Sequence, residues 1–349
     1  MLAQSLSIAA PQNLLFANNI KKAIELSLEF INNMDNDDVY FSWREAFPHL
    51  IYQLNFVDED SEFSQVNVME NVIFPKINEM IDRKQEKRRR IRGTELMVNI
   101  LQTQSSPTLS HPMHLKLFET LCQDNNFIFR VQMAEALGQI KDETELEDIA
   151  LSRDDFLECY YITLMELVSD SDNMVKIKAL QSFGSLIAKG FLSYQKAEEE
   201  ILTYLEAIFD TIVDDEDGTQ ALSKILGKLL YEINQSSMAS ESESIRESNR
   251  SMNAQFIVGN EDKICTFYHF CCNSDDLPTK INSAYNLPCM FELFGNKLDL
   301  VDYLKLLLVE TDSNDLKLLV GKYLHELFII CERNNSSVMD LVPSLISLL

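Results

Sequence analysis

The stretch Asp170-Ser-Asp-Asn-Met-Val-Lys-Ile-Lys-Ala-Leu-Gln-Ser-Phe-Gly-Ser-Leu-Ile187 decides how the chain is read. An acidic turn hands over to a segment whose apolar residues Val175, Ala179, Leu180, Phe183, Leu186 and Ile187 recur at steps of three and four, so the spacing predicts a helix with one face for burial. Just upstream, Phe156, Leu157, Tyr160, Leu164, Leu167 and Val168 repeat the pattern. Two such helices joined by a tight turn make a hairpin that cannot cover both apolar faces alone. Stacking against copies of itself is the remedy.

The copies are in the chain. With Val175-Lys-x-x-Ala179-x-x-x-Phe183-Gly184-x-Leu186 as template, matches fall at Phe129-Arg130 to Ile140, Thr279-Lys280 to Met290 and Leu316-Lys317 to Leu327. Weaker ones fall at Arg89-Arg90 to Ile100, Gly218-Thr219 to Leu229 and Val39-Tyr40 to Leu50, where Thr219 and Tyr40 replace the basic residue. Equivalent points at residues 48, 98, 138, 184, 227, 288 and 325 lie 50, 40, 46, 43, 61 and 37 residues apart. Apart from the 61, these intervals suit two-helix repeats of about 40 to 47 residues. The fold class expected is all-α, an α-solenoid of about seven antiparallel helix hairpins spanning residues 1–349.

Composition agrees with that reading. A chain of 349 residues is long for one globular core, but a repeat array has no such limit. Hydrophobic residues make up 46% of it, while 9 Gly and 8 Pro leave little material for sheets or phosphate-binding loops. Fifty-five acidic against 30 basic residues give a formal net charge of −25, which argues against nucleic acid and anionic membrane as general partners and favours basic ones. The 7 Cys are scattered without CxxC pairs, as reduced thiols of the cytosol or nucleus are. No run of about 18 apolar residues marks a membrane span.

Each template position has a mechanical meaning. Apolar members face neighbouring helices, and the small or kinking residue near the middle allows close approach or bends the second helix, as at Pro48. The basic residue after each turn is expected to pair with an acid from its own or the next turn, at Asp124, Asp172, Asp276 or Asp315, in a ladder along one edge. At these residues the chain resembles the HEAT-repeat family, with its turn aspartate, following valine, Arg or Lys, and downstream Ala and Leu-Gly. Ala284-Tyr-Asn-Leu-Pro-Cys-Met-Phe291 and Val320-Gly-Lys-Tyr-Leu-His-Glu-Leu327 are more narrowly similar to segments of regulatory subunits of protein phosphatase 4 and the scaffold subunit of protein phosphatase 2A.

That resemblance implies a non-catalytic scaffold whose partner is a serine/threonine phosphatase catalytic subunit, held by the turns within each repeat. The matching positions are Asp124, Asn125, Asn126 and Phe127, then Asp170, Asp172, Asn173 and Met174, then Asp275, Asp276 and Leu277, with Phe127 and Met174 as apolar anchors among steering acids. An importin-type transport receptor is the rival reading. It predicts carboxylates concentrated on the second helices, whereas here they concentrate in turns.

The chemistry-bearing patterns fail one by one. His325-Glu326 begins like a zinc-protease HExxH, but Ile329 stands where the second ligand belongs. His111 and His114 with Cys122, and His269 with Cys271 and Cys272, lack finger spacing and read as core or capping residues. Val213-Asp-Asp-Glu-Asp-Gly218 fails as a calcium loop, with Val213 and Lys224 at positions that require carboxylates. No enzyme, cofactor or metal is expected. Trp43, at the template position of Ala179, reads as core rather than as a binding anchor.

Two segments break the regularity. Arg83 to Arg92 holds seven basic residues in ten, read as a solvated turn pairing with acids of adjacent repeats, with import signalling or an acidic partner as alternatives. Residues 236–254 hold seven Ser and no aromatic, read as a flexible insertion in which Ser240, Ser242 and Ser244 are candidate phosphorylation sites. Val338 to Leu349 is read as the start of a further repeat or an end cap.

Overall fold

The computed structural model describes residues 14–33, 37–54, 57, 63–104, 106–141, 151–192, 204–205, 208–209, 211–239, 261–295, 298–308 and 313–333. Among them helix is the one kind of regular structure and no strand occurs. The elements are α1 (Leu14–Asn33), α2 (Asp37–Gln53), α3 (Gln65–Val68), a π-helical segment (Met69–Ile73), α4 (Phe74–Ile81), α5 (Lys87–Thr103), α6 (Ser106–Leu109), α7 (Pro112–Cys122), α8 (Phe127–Leu137), α9 (Arg153–Cys159), α10 (Tyr161–Val168) and α11 (Asn173–Ala188). Then follow α12 (Glu216–Ala239), α13 (Glu261–Cys272), α14 (Leu277–Phe294), α15 (Leu300–Leu308) and α16 (Asn314–Arg333).

The chain divides into two compact units, residues 1–191 and 192–349. In the first, α1 packs on α2, α4 on α5, α7 on α8 and α10 on α11, which makes each pair a hairpin. The second helices then follow one another, α2 against α5, α5 against α8 and α8 against α11, while α4 meets α7 and α7 meets α10. Such hairpins sit in two layers, first helix on first and second on second. In the second unit α13 pairs with α14 and α15 with α16, with α12, α14 and α16 in one row and α13 with α15 in the other.

The predicted helix positions hold to within a few residues where they can be compared, and two details differ. The helix before α5 passes through a π-helical segment at Met69–Ile73. Pro75 follows it, and a proline has no N–H to return to the carbonyl four residues back and crowds that carbonyl with its ring, so the widened turn relieves both. The helix α12 runs on to Ala239, so residues 236–239 of the expected insertion are helical. The rest of that insertion and the segment 338–349 lie outside the described residues.

Aromatic side chains fill the hairpin interiors. Phe47, Phe74, Phe118, Phe129, Phe156, Phe183, Phe291 and Phe294 are fully buried, each contributing about 1.5–3 kcal/mol by removal from water. Tyr160 stands edge-on to Phe118 at 5.2 Å and donates its hydroxyl proton to the carbonyl of Leu109 at 2.7 Å. The ring of His114 shares that carbonyl at 3.0 Å, and burial holds its pKa down at about 4, so the imidazole is neutral. His114 and Cys122 are therefore core residues, and His111 caps α7 through Nδ1, which accepts from Met113 N at 3.3 Å. Trp43 is half-buried against Phe30 at 5.4 Å.

Small residues set the spacing between successive second helices. A Cβ at Gly138 would stand 2.8 Å from the Cα of Ser182, and one at Gly227 would stand 2.6 Å from Oδ1 of Asn286. Gly138 and Gly227 share one template position, and Ser182 and Asn286 share another in the following hairpin. Both partners also bind the neighbouring helix. Ser182 Oγ donates to Ala134 O at 2.6 Å, and Asn286 Nδ2 donates to Ser223 O.

Candidate functional site

Five of the turns leading into second helices are built on the same polar scaffold. The residue before the helix caps it: Asn126 accepts from Ile128 N at 3.2 Å, Asp172 from Met174 N at 3.0 Å, Asp215 from Gly218 N at 3.1 Å, Asp276 from Thr279 N at 2.9 Å and Ser313 from Leu316 N at 3.3 Å. Two residues earlier a second short side chain accepts the amide of the capping residue. Asp124 does so for Asn126 at 2.9 Å, Asp170 for Asp172 at 2.8 Å and Ser274 for Asp276 at 3.1 Å.

The earlier of these two acids meets the basic residue of the preceding hairpin. Arg130, at the fourth position of α8, forks onto Asp170 with Nε–Oδ2 at 2.7 Å and Nη2–Oδ1 at 2.8 Å, and its remaining nitrogen donates to Asp124 O at 2.7 Å. Arg90, at the fourth position of α5, reaches Asp124 through a single bond from Nη2 to Oδ2 and donates through Nε to Ile81 O at 3.1 Å while its guanidinium lies over the Phe129 ring at 4.3 Å. Burial pushes the Asp170 carboxyl up, but the bonds from Arg130 and from the Asp172 amide outweigh it and hold the group below the usual carboxylate range. Arg130 is raised in turn, chiefly by its bond to Asp170.

Two rungs of the expected ladder form, both in the first unit, with a correction to their acids. Asp170 takes the rung assigned to Asp172, and Asp172 and Asp276 are helix caps. A carboxylate next to the helix start faces the helix's own amides, whereas one two residues back is free to turn toward the neighbouring hairpin. Where Ser274 replaces the rung acid, the preceding second helix carries Thr219 at the basic position. Both members of that rung are absent together, and Thr219 Oγ1 instead donates to Ile212 O at 2.8 Å.

The candidate residues divide by role. Asp124 is 3% exposed and bound to Arg90, so it belongs to the framework, as Asp170 does. Asn126, Asp172 and Asp276 are half-buried caps, with Asn173 and Met174 half-buried beside them. Asn125, Asp275, Phe127 and Leu277 are exposed, Phe127 at 43% and Leu277 at 39%, each of these two being the first residue of its helix.

In the first unit the turns at Asp124 and Asp170 come together around an open groove of about 480 Å³. Arg130 lies within it, Gln123 and Asn125 line one side, Glu166 and Ser171 the other. The turn at Asp275 belongs to the second unit. Gln123 and Glu166 sit at or near the ends of first helices, outside the repeating motif, and no sequence signal distinguished them from other surface polar residues.

Among the described residues no group of three or more His, Cys, Asp or Glu is placed to hold a metal, and no helix is long and apolar enough to cross a membrane. All seven cysteines are free thiols, and burial pushes Cys271 and Cys289 well above their ordinary value. Compared with models of known protein families and with curated proteins, the chain matches none.

Proposed function

We propose that this chain is a HEAT-type α-solenoid acting as a non-catalytic scaffold or regulatory subunit of a serine/threonine protein phosphatase, gripping the catalytic subunit along its turns. The observation that supports this reading is the turn ridge: the bidentate Arg130–Asp170 rung and the Arg90–Asp124 pair fix consecutive turns against each other, so Phe127 and the polar groove beside it form a rigid platform. Rigidity matters because a surface already ordered costs less entropy on binding. Phe127 supplies an apolar anchor, and Glu166 and Asn125 supply polar contacts for a basic rim. The importin-type alternative requires a second-helix face rich in free carboxylates. On α8 and α11 the polar groups there are partly paired, as in Lys178 with Glu135 at 3.1 Å.

Affinity capture of the full chain from cells, with bound proteins identified by mass spectrometry, tests this. A phosphatase catalytic subunit is expected, and it is expected to be lost or strongly depleted with Phe127→Asp. Capture without any such subunit, or capture of a small GTPase that depends on GTP, would sink the reading.

A further inference from the structure

The basic tract from Arg83 to Arg92 is not used uniformly. Arg89 is bound to Glu79 at 2.5 Å and Gln85 at 2.7 Å, Arg90 holds Asp124, and Arg92 donates to Ile31 O at 2.8 Å while lying over Tyr40 at 4.3 Å. Three further cations, Arg83 and Lys84 on the turn between α4 and α5 and Lys87 at the first position of α5, are exposed. Arg83 is 58% exposed, donating from Nη2 to Gln123 O at 3.4 Å and standing 3.8 Å from the shared Asp124.

The backbone adds to this charge. Glu86 precedes α5 but its side chain makes no cap, so the first turn of α5 lacks the capping side chain that other second helices carry. Asp82 is occupied in shaping the turn, its Oδ1 accepting from Lys84 N at 2.8 Å. In a chain of net charge −25, cations and amide donors are thus gathered on one short turn.

We propose that this turn docks a phosphorylated acidic segment of a partner protein. Guanidinium, ammonium and helix-start amides are the donors that a compact dianion calls for. A nucleic acid would place most of its backbone against the acidic remainder of the chain. A membrane would need an apolar anchor, and no residue from Asp82 to Arg90 is apolar. An import signal read as an extended string would need Arg89 and Arg90 free, and both are engaged. The inference stands apart from the phosphatase reading and survives its failure.

The test is binding of the full chain to a fluorescent peptide carrying two phosphoserines among glutamates, measured by anisotropy. The unphosphorylated peptide, a short single-stranded RNA and phosphatidylserine vesicles serve as comparators. The phosphopeptide is expected to bind at least about tenfold more tightly than its unphosphorylated form, and Lys84→Glu with Lys87→Glu to cost about tenfold or more. Lys305→Glu, an exposed site in the second unit, should change nothing. If the charge-reversed protein melts early, Lys84→Gln with Lys87→Gln decides, with a smaller loss expected. Equal binding of wild type and these variants, or preference for RNA or vesicles over the phosphopeptide, overturns the proposal.

Discussion

Arg130 and Asp170, forty residues apart in sequence, are joined by two parallel bonds of 2.7 and 2.8 Å, and the same guanidinium holds the carbonyl of Asp124. One side chain thereby ties its own turn to the next. Both partners are nearly buried, with side-chain exposures of 13% and 11%, so deleting one strands the other away from water. Asp170→Ala should cost about 3 kcal/mol, and a double-mutant cycle with Arg130→Ala should return a coupling of about 2 kcal/mol. The exposed pair Lys305–Asp302 should return less than about 1 kcal/mol in the same denaturation experiment. Equal couplings would mean that the rung is no more than a surface contact.

Two glycines at one template position should respond differently to the same change. Alanine at Gly138 meets the backbone of Ser182, its Cα at 2.8 Å, whereas alanine at Gly227 meets only the side chain of Asn286. Each substitution should cost about 1–3 kcal/mol through forced separation of the helices. Asn286→Ala should recover much of the loss in Gly227→Ala, while Ser182→Ala should recover little in Gly138→Ala. Urea unfolding of the single and double variants reads this directly.

The helices were legible because burial imposes its period on the sequence: Val175, Ala179, Leu180, Phe183, Leu186 and Ile187 all proved buried on one helix, α11. The ladder was legible in kind but not in register. Asp170 and Asp172 are the same residue type two positions apart, and only backbone geometry separates a cap from a rung. The groove was not legible, since Gln123 and Glu166 come from different hairpins and neither belongs to the repeating motif. The π-helical segment was not expected, although Pro75 stands inside the apolar-periodic stretch, where a proline disturbs the hydrogen-bond ladder.

His114 should weaken the fold in acid. Its folded pKa is about 4, lowered chiefly by burial, against an ordinary value near 6.5. Protons therefore prefer the unfolded chain, and the contribution is whole above about pH 6.5 and is lost as pH falls toward 4. In His114→Phe the aromatic surroundings remain, and Tyr160 still serves the carbonyl of Leu109. The drop in unfolding free energy between pH 7 and pH 4.5 should be smaller in the variant than in wild type. An unchanged drop would assign the acid sensitivity to other groups.

Glu95 should act in the opposite direction. Desolvation raises its carboxyl to about 7, one oxygen is buried without a hydrogen-bond partner, and Arg44 lies 3.6 Å from the other. A folded value above the ordinary 4.5 means that the protonated form is preferred in the native state. That stability is fully present below about pH 4.5 and is lost as pH rises through 7. Glu95→Gln cannot ionise, so its melting temperature relative to wild type should be higher at pH 8 than at pH 5. Melting curves of both proteins at the two pH values decide it: an offset that does not change with pH would place Glu95 among the ordinary solvated carboxylates.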